Sequence, residues 1–498
     1  MAVNKVFGPP GSGKTTYLLN VVEKELEEGT SPLQIGYFAF TRKAATEAKE
    51  RAITKFPELN GDLDFPWFRT LHSLAYHCLG VTSKDIMKPE DYRDFADEAG
   101  IKITVQRGDD MMANADHPIL NEINIARIKG EDLRTHYNRS NMEIEWYQFE
   151  YVERAYRHYK ETRGLMDFTD LLERIVEQPN RLPKLDVLII DEAQDLSRLQ
   201  WNLVEALVER AKRTYLAGDD DQAVYTWAGA DVKSFLDFQG EIMVLEQSWR
   251  VPSKVHELAN MVVNRIRQRQ PKDWHARDFE GQVQFYNSYE MIDISQGNWL
   301  ILAAANYMLN DMHQWIKSQG LLFERHGQRS ISESALQAVL AWERLRKGEQ
   351  INFYMLQHVY KHLGTGMVKR GYKTLRTADQ EGMYDMQRLV DEQGLLTEAI
   401  WHEALTKISE DQRDYIIAML RRGTKIAGKP PIKLSTIHGA KGGEADNVLL
   451  LMDLSTKFAK DYERNSDDVN RLFYVGITRA KQTLHVVLPR DSRKGFRL

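Results

Sequence analysis

The sequence predicts an α/β protein with two parallel-sheet units, each interrupted by a mainly helical insertion. Short apolar runs typical of buried parallel strands alternate with amphipathic helical stretches, which favours a sheet covered by helices on both faces. Charged, helix-prone sequence interrupts this alternation twice, at 81–165 and 328–430. The 498 residues are enough for about three or four domains.

The order of the apolar runs assigns them to two units. The first is expected to comprise 1–80 and 166–241, and the second 242–327 and 431–498. Strand-like runs of the first unit are "KVF", "IGYFAF", "FRTLHSLAYHCL", "LDVLIIDEAQD" and "TYLAGDDDQ". Those of the second are "EIMVLEQ", "GQVQFY", "WLILAAA", "IKLSTI", "NVLLLMD" and "TLHVVLP". The segment 81–165 shows no strong strand, and "SESALQAVLAWERLRKG" and "TEAIWHEALTKISEDQRDYIIAMLRRG" predict helices in 328–430.

Composition limits the kind of partner and compartment. The net charge of −5 excludes a basic surface over the whole protein, so a nucleic-acid site must be a local groove. The single cysteine, Cys78, excludes an intramolecular disulfide and suits a reducing cytoplasm. The apolar runs are too short to cross a bilayer and the N-terminus lacks the layout of a signal peptide, so we expect no membrane partner.

The stretch "GPPGSGKTT" at 8–16 matches the phosphate-loop pattern G-x-x-x-x-G-K-[ST]. A short strand at 3–7 precedes it and a helical pattern at 15–27 follows it, which is the context that the motif requires. Backbone N–H groups and the helix N-terminus attract phosphate, the lysine reaches the β- and γ-phosphates, and the threonine that follows it offers a hydroxyl to Mg²⁺. The residues predicted to bind nucleotide here are Gly8, Pro9, Gly11, Ser12, Gly13, Lys14, Thr15 and Thr16.

Two further strand ends carry groups suited to triphosphate hydrolysis. "VLIIDEAQD" ends an apolar run in Asp191, a candidate Mg²⁺ ligand, and Glu192, a candidate for polarising the attacking water. In "LAGDDDQAVYTWAGA", Gln222 is a candidate γ-phosphate sensor. Trp227 follows five residues later, so one segment can link the phosphate state to an aromatic platform, although a lone tryptophan is more often part of a core.

Two arginines are expected in the second unit, Arg250 in "LEQSWRVP" and Arg479 in "NRLFYVGITRAKQTLHVVLP". An arginine donated across a cleft to a γ-phosphate accelerates hydrolysis by about 10³–10⁵, but either residue alone also fits a surface salt bridge. "IKLSTIHGAKGGEADNVLLL" adds His438 and Glu444 on a glycine-rich turn, which also fits a polar loop between strands.

Nine motifs in order make the chain closely resemble the UvrD/Rep/PcrA-type superfamily 1 DNA helicases: GPPGSGKTT, YFAFTRKAATEAKERA, RTLHS, MDFTDLL, IIDEAQDLS, GDDDQAVYTWAGA, LEQSWR, TIHGAKGGE and RLFYVGITRAK. The resemblance implies two RecA-like motor domains, ATP and Mg²⁺ in the cleft between them, and single-stranded DNA crossing both. It further implies 3′ to 5′ travel, with 3′-tailed duplex DNA as a substrate.

The resemblance also implies roles for particular residues. The phosphate, Mg²⁺ and hydrolysis residues are Lys14, Thr15, Asp191, Glu192, Gln222, Arg250 and Arg479. Glu444 matches a carboxylate that contacts the ribose, and Trp249 stands where a tyrosine commonly stacks on adenine. Positions near the DNA strand are Phe40, Thr41, His72, Trp227 and His438, with Arg42 where asparagine is frequent.

The chain departs from the family pattern in three places. A glutamine motif usually lies upstream of the phosphate loop, whereas seven residues precede Gly8 here, so we expect tolerance of other nucleoside triphosphates. Both insertions are shorter than usual, and "KGGEAD" replaces the usual Leu and Phe around Glu444. A helicase–nuclease is disfavoured because no carboxylate cluster with a paired lysine is seen. A nucleic-acid-stimulated ATPase that acts as an accessory or sensing subunit, without processive unwinding, remains the alternative.

Overall fold

The computed structural model describes residues 2–61, 63–107, 113–140 and 142–498. Its strands are β1 (Ala2–Phe7), β2 (Ile35–Phe38), β3 (Phe68–Arg69), β4 (Thr104–Arg107), β5 (Ala113–Asp116), β6 (Leu185–Ile190), β7 (Ala211–Gly218), β8 (Glu241–Val244), β9 (Gln282–Tyr286), β10 (Trp299–Ala303), β11 (Phe323–Arg325), β12 (Gln328–Arg329), β13 (Ile351–Asn352), β14 (Met383–Tyr384), β15 (Ile432–Thr436), β16 (Ala445–Leu451) and β17 (Ala480–Val487).

Its α-helices are α1 (Lys14–Glu27), α2 (Arg42–Lys55), α3 (Leu71–Leu79), α4 (Pro89–Ala99), α5 (Pro118–Lys129), α6 (Leu133–Arg139), α7 (Trp146–Arg163), α8 (Phe168–Glu177), α9 (Arg198–Val208), α10 (Val232–Asp237), α11 (Ser253–Val263), α12 (Leu309–Ser318), α13 (Glu333–Arg346), α14 (Phe353–His362), α15 (Met386–Glu392), α16 (Trp401–Ala404), α17 (Glu410–Arg421), α18 (Thr456–Arg464) and α19 (Ser466–Ile477). Among these described helices, none combines the length and the apolar character needed to cross a membrane.

The chain divides into two compact units. The first extends as far as Gly281 and also includes Lys460–Thr478 and Leu498. Its sheet has the order β3-β2-β6-β7-β1-β8, and all of its strand pairs are parallel. Because side chains alternate along a strand, Tyr37 and Ile189 pack with α1 on one face, whereas Phe38 and Ile190 pack with α9 on the other.

The second unit comprises Gln282–Ala459 and Arg479–Arg497. Its sheet has the order β12-β11-β15-β10-β16-β17-β9, with every pair parallel except the β11–β12 hairpin. Trp299 and Ile301 of β10 share one core with Trp342 of the insertion. The prediction of two parallel-sheet units is therefore confirmed.

The first insertion packs α4, α5 and α7 around Phe95 and Phe149. It also contains the short antiparallel strand pair β4–β5, which the expectation of no strong strand in 81–165 did not include. Ion pairs connect the insertion to α8: Arg127 of α5 lies 2.9 Å from Asp167, and Lys160 of α7 lies 2.6 Å from the same carboxylate.

The second insertion contains α13 to α17 and the short β13–β14 pair. The single helix predicted from "TEAIWHEALTKISEDQRDYIIAMLRRG" is two helices, α16 and α17. Leu405 and Ile408, in the turn that connects them, are both buried in the core.

Two strand assignments also differ from expectation. The run "EIMVLEQ" was assigned to the second unit, but β8 pairs in parallel with β1 and is largely exposed at the edge of the first sheet. Residues 242–281 accordingly belong to the first compact unit. "FRTLHSLAYHCL" forms only the two-residue β3 before α3, because the Thr70 hydroxyl accepts a hydrogen bond from the Ser73 N–H and starts a helix.

Candidate nucleotide and nucleic-acid sites

The phosphate loop lies between the end of β1 and the start of α1, as the motif predicts. The N–H of Gly8 donates to the carbonyl of Gly218 at 3.0 Å, which anchors the loop to β7. Gly13 is the N-cap of α1, with φ of 78°, and no side chain caps the helix or places an acid in its first turn. The unsatisfied N–H groups and positive potential of this helix end therefore suit an anion.

Two polar side chains in the loop fit a bound phosphate. The Lys14 ammonium donates to the Gly8 carbonyl at 3.0 Å, so the lysine folds back over the loop. The buried Ser12 hydroxyl finds no hydrogen-bond partner among the described residues. A Cβ on Gly8 would lie 2.0 Å from Lys14 Cγ, so a side chain at Gly8 would collide with the stem of Lys14. A hydroxyl without a partner and an ammonium with donors to spare are suitable partners for phosphate oxygens.

Asp191 follows β6 on the same side of the sheet as α1. Its Oδ2 accepts a hydrogen bond from the Tyr37 hydroxyl at 2.9 Å, and its Oδ1 accepts one from the Glu192 N–H at 2.9 Å. Burial and the neighbouring Glu192 carboxylate raise the pKa of Asp191 to about 6, although Lys14 and the Tyr37 hydrogen bond oppose this. Glu192 itself has a left-handed backbone, with φ of 54°.

The acidic run Asp219–Asp221 is neutralised by buried cations. The Lys272 ammonium is fully buried and lies 3.2, 2.5 and 2.8 Å from the carboxylates of Asp219, Asp220 and Asp221 respectively. Arg269 adds a bidentate pair to Asp221 at 2.7 and 2.8 Å. The three carboxylates lie close enough together to hold a metal ion, but the lysine already fills that role.

Gln194 connects the two acidic segments. Its side-chain amide is fully buried. The amide nitrogen donates to Glu192 at 2.5 Å and to Asp195 at 3.2 Å, and the amide oxygen accepts from the Asp219 N–H at 2.9 Å. Gln222 follows Asp219 by three residues, and its side-chain amide nitrogen donates to the Asp219 carboxylate at 2.6 Å.

The segment "LEQSWR" contacts the phosphate loop directly. The Ser248 hydroxyl donates to the Pro10 carbonyl at 2.7 Å, and the Trp249 N–H donates to the Gly11 carbonyl at 2.8 Å. A Cβ on Gly11 would lie 2.4 Å from the Cβ of Arg250. Arg250 is therefore part of the first compact unit, not the second as expected, because the strand before it joins the first sheet. Trp249 is 73% exposed.

The positions expected near DNA in the first unit include several aromatic side chains. Phe40 stacks on Tyr225 with ring centroids 5.8 Å apart, and Trp227 in the same segment is 60% exposed, so it is not a core residue. His72 packs edge-on against Phe168, and burial lowers its pKa to about 4, so the ring is neutral at pH 7.

Two of those positions lie at the start of α2. Thr41 is the N-cap, because its hydroxyl accepts a hydrogen bond from the Ala44 N–H. Arg42 is the first residue of the helix and is exposed.

In the second unit, His438 follows the end of β15, whereas Glu444 and Arg479 immediately precede the starts of β16 and β17. His438 stacks on Phe458 with ring centroids 6.0 Å apart. The Lys481 ammonium lies 3.7 Å from Glu444. The Arg479 side chain is buried and donates to the Gly443 carbonyl at 3.4 Å.

Sequence reasoning did not identify three contributors to these sites: Tyr37, Gln194 and Lys272. A separate cavity of about 160 Å³ lies between α1 and α2 and is lined in part by Thr16, Arg51 and Lys55. Gln194 carried a usable signal, since it lies inside the DEAQD motif. Lys272 carried none, because it follows Asp220 by 52 residues in a loop of unremarkable composition.

A parallel sheet with a phosphate loop before its first helix defines the P-loop class of α/β proteins. Residues 2–243 match the UvrD/REP helicase N-terminal domain, and residues 403–490 match the UvrD-like helicase C-terminal domain. The chain belongs to the UvrD/Rep helicase family, with two RecA-like domains, which confirms the resemblance seen in the motifs.

Curated relatives agree with this assignment. The ATP-dependent DNA helicase PcrA of Staphylococcus aureus is 26% identical over 352 residues, 66% of this chain and 46% of that protein. DNA helicase II of Salmonella typhimurium is 27% identical over 354 residues, 66% of this chain and 47% of that protein. PcrA of Staphylococcus epidermidis is 27% identical over 306 residues, 57% of this chain and 41% of that protein. The chain thus spans about half the length of the curated relatives it matches.

Proposed function

We propose that this protein is an ATP-dependent translocase on single-stranded DNA and a 3′–5′ DNA helicase. One observation carries the proposal: a single segment of the first unit runs from the phosphate loop to an exposed aromatic ring. It begins at Gly218, which accepts a hydrogen bond from Gly8, and continues to Trp227, which is 60% exposed. A change at the phosphates can therefore be transmitted to a side chain that a base can stack on.

The nucleotide site supports ATP and Mg²⁺ as the bound species. Lys14 and the N–H groups at the start of α1 bind the phosphates, and Thr15 and Asp191 would hold the metal ion. Bound there, Mg²⁺ would supply positive charge against the negative charge that develops on the phosphates. Glu192 accepts a proton from the attacking water, and Gln222 orients that water. In the first unit, Arg250 stabilises charge on the γ-phosphate and Trp249 stacks on the base. In the second unit, Arg479 is a further γ-phosphate contact and Glu444 contacts the ribose.

The nucleic-acid site combines aromatic stacking with phosphate contacts. Trp227, Phe40 and His72 in the first unit and His438 in the second contact the strand, while Thr41 and Arg42 offer donors to its phosphates at the start of α2. Stacking on such rings is worth about 1–3 kcal/mol per base and tolerates any sequence. Phosphate contacts make the binding weaken with salt.

The test is ATP hydrolysis stimulated by single-stranded DNA or RNA, followed by strand displacement on duplexes with a 3′ or a 5′ tail. We expect stronger stimulation by DNA and displacement of the 3′-tailed duplex only. Lys14→Ala should abolish hydrolysis and leave DNA binding intact, whereas Lys24→Ala, on an exposed side chain at the other end of α1, should change neither.

Each contrary result has a defined meaning. Hydrolysis that survives in Lys14→Ala would overturn the nucleotide site. Displacement of the 5′-tailed duplex would reverse the direction of travel. DNA-stimulated hydrolysis without displacement of either duplex would exclude the helicase activity for this chain and leave a nucleic-acid-stimulated ATPase.

A further inference from the structure

Tyr37 lies at the centre of the first sheet, directly beside the strand that ends in Asp191. It is paired in register with Ile189 of β6, two residues before Asp191, so both side chains emerge on the same face. The ring is fully buried and stacks on Phe68, with centroids 5.4 Å apart and planes 22° apart. The position of Tyr37 in the sheet and the stacking of its ring on Phe68 together set the direction of the phenol hydroxyl.

That direction is the Asp191 carboxylate. The Tyr37 hydroxyl donates to Oδ2, and the Glu192 N–H donates to Oδ1, both at 2.9 Å. Each carboxylate oxygen thus has one neutral donor, and each keeps capacity for a second partner. Two donors on different oxygens fix the plane of the carboxylate while leaving it able to bind a cation.

Packing alone does not require the hydroxyl. A phenylalanine at position 37 would fill the same volume and stack equally on Phe68. Burying a hydroxyl in an apolar cluster is unfavourable unless it is hydrogen-bonded, and the partner that the structure describes for it is Asp191. The hydroxyl therefore acts on the carboxylate.

We propose that Tyr37 is a positioning residue for the divalent cation that accompanies the nucleotide: it holds the Asp191 carboxylate in the orientation that binds the metal ion. The inference rests on the proposed function, which assigns Asp191 to the metal. It adds a determinant of cation affinity from β2, a strand outside the phosphate loop. Partners that orient a metal ligand typically change metal affinity by about 10–100-fold when removed.

The test uses the full chain with a non-hydrolysable ATP analogue and Mn²⁺ as the probe cation, with free Mn²⁺ followed by electron paramagnetic resonance. Tyr37→Phe should raise the Mn²⁺ concentration for half-saturation by about 10-fold. Binding of the analogue in EDTA should be unchanged, because Tyr37 lies in β2 and its hydroxyl is bonded to Asp191. Tyr215→Phe is the matched control, since it removes a phenol from β7 of the same sheet, and it should leave the half-saturation value unchanged.

Asp191→Asn separates the possible failures. If Asp191→Asn weakens Mn²⁺ binding and Tyr37→Phe does not, the positioning role is overturned while the proposed site stands. If Asp191→Asn also leaves Mn²⁺ binding unchanged, the assignment of Asp191 to the metal is wrong. A lower thermal stability of Tyr37→Phe with unchanged Mn²⁺ half-saturation would show that the hydroxyl serves only the fold.

Discussion

Two acidic segments of the first unit look alike in sequence but differ in their partners. Asp191 accepts hydrogen bonds from two neutral donors, a phenol and a peptide N–H. The run Asp219–Asp221 instead surrounds the ammonium of Lys272, with Arg269 on its outer side. The carboxylates outweigh the effect of burial and raise the pKa of Lys272, which keeps the lysine charged.

The difference separates a site that can take a cation from one that already contains it. A buried carboxylate held by neutral donors retains its negative charge for a ligand, whereas one paired with buried cations has its charge cancelled within the fold. An acidic motif is therefore a candidate metal site only when the cations around it have been counted. Four variants test this comparison.

The largest effect on stability is expected from Lys272→Met. It removes an ammonium that lies within 3.2 Å of all three buried carboxylates, and breaking a buried ion pair in this way typically costs about 3–5 kcal/mol. Lys233→Met is the control, because this lysine is exposed and such substitutions stay within about 0.5 kcal/mol. Urea unfolding followed by tryptophan fluorescence measures both. A Lys272→Met protein as stable as the control would show that the run Asp219–Asp221 does not depend on its lysine.

Asp191→Asn should strongly reduce ATP hydrolysis without lowering the stability of the fold. Hydrolysis should fall by about 10²–10³, comparable to the loss of one transition-state contact. Folding stability at pH 8 should equal or exceed that of the wild type, because burial disfavours the ionised form, as the raised pKa of about 6 indicates. Steady-state hydrolysis and urea unfolding give the two values. A large loss of stability would show that the Asp191 carboxylate, like that of Asp219, is needed for the fold.

The contrast also marks the limit of sequence reasoning. The phosphate loop and the position of Asp191 could be predicted because each depends on a few consecutive residues between a strand and a helix. The partners Tyr37 and Lys272 could not, since a buried tyrosine in an apolar strand and a lysine in a loop have no local signal. The same limit explains β8, whose apolar composition did not reveal which sheet it joins.

A third charged cluster, which joins the first insertion to α8, should give an intermediate effect. The Arg127 guanidinium forms ion pairs with Asp167, Asp170 and Glu173. Arg127→Met should cost about 2–3 kcal/mol, less than a fully broken buried pair, because Lys160 still pairs with Asp167 and Asp170. Arg139→Met, in an exposed pair with Glu131 at 3.7 Å, should cost less than about 0.5 kcal/mol.

The pH dependence of that cluster has a definite sign. Burial opposes ionisation of Asp167, but Arg127 and Lys160 outweigh it and hold its pKa below the ordinary value of 3.8. A carboxyl whose pKa is lowered by folding stabilises the fold above the ordinary pKa and loses that contribution as the pH falls through the folded value. The stability difference between wild type and Arg127→Met should therefore be constant from pH 7 to about 5 and shrink below pH 4. A difference that grows on acidification would contradict the pairing.

The smallest effect is expected at Gln194, where the two acidic segments meet. Its amide donates to Glu192 and accepts from the Asp219 N–H, so Gln194→Met keeps the volume but leaves a buried N–H without its acceptor, at a cost of about 1–2 kcal/mol. Combined with Lys272→Met, it forms a double-mutant cycle. Residues in one hydrogen-bonded network couple by about 0.5–3 kcal/mol, so a clear coupling energy is expected from unfolding measurements on the four proteins. Strict additivity of the two losses in stability would mean that the run Asp219–Asp221 and the Asp191–Glu192 segment are energetically independent. The Gln194 amide would then contact both segments without coupling them.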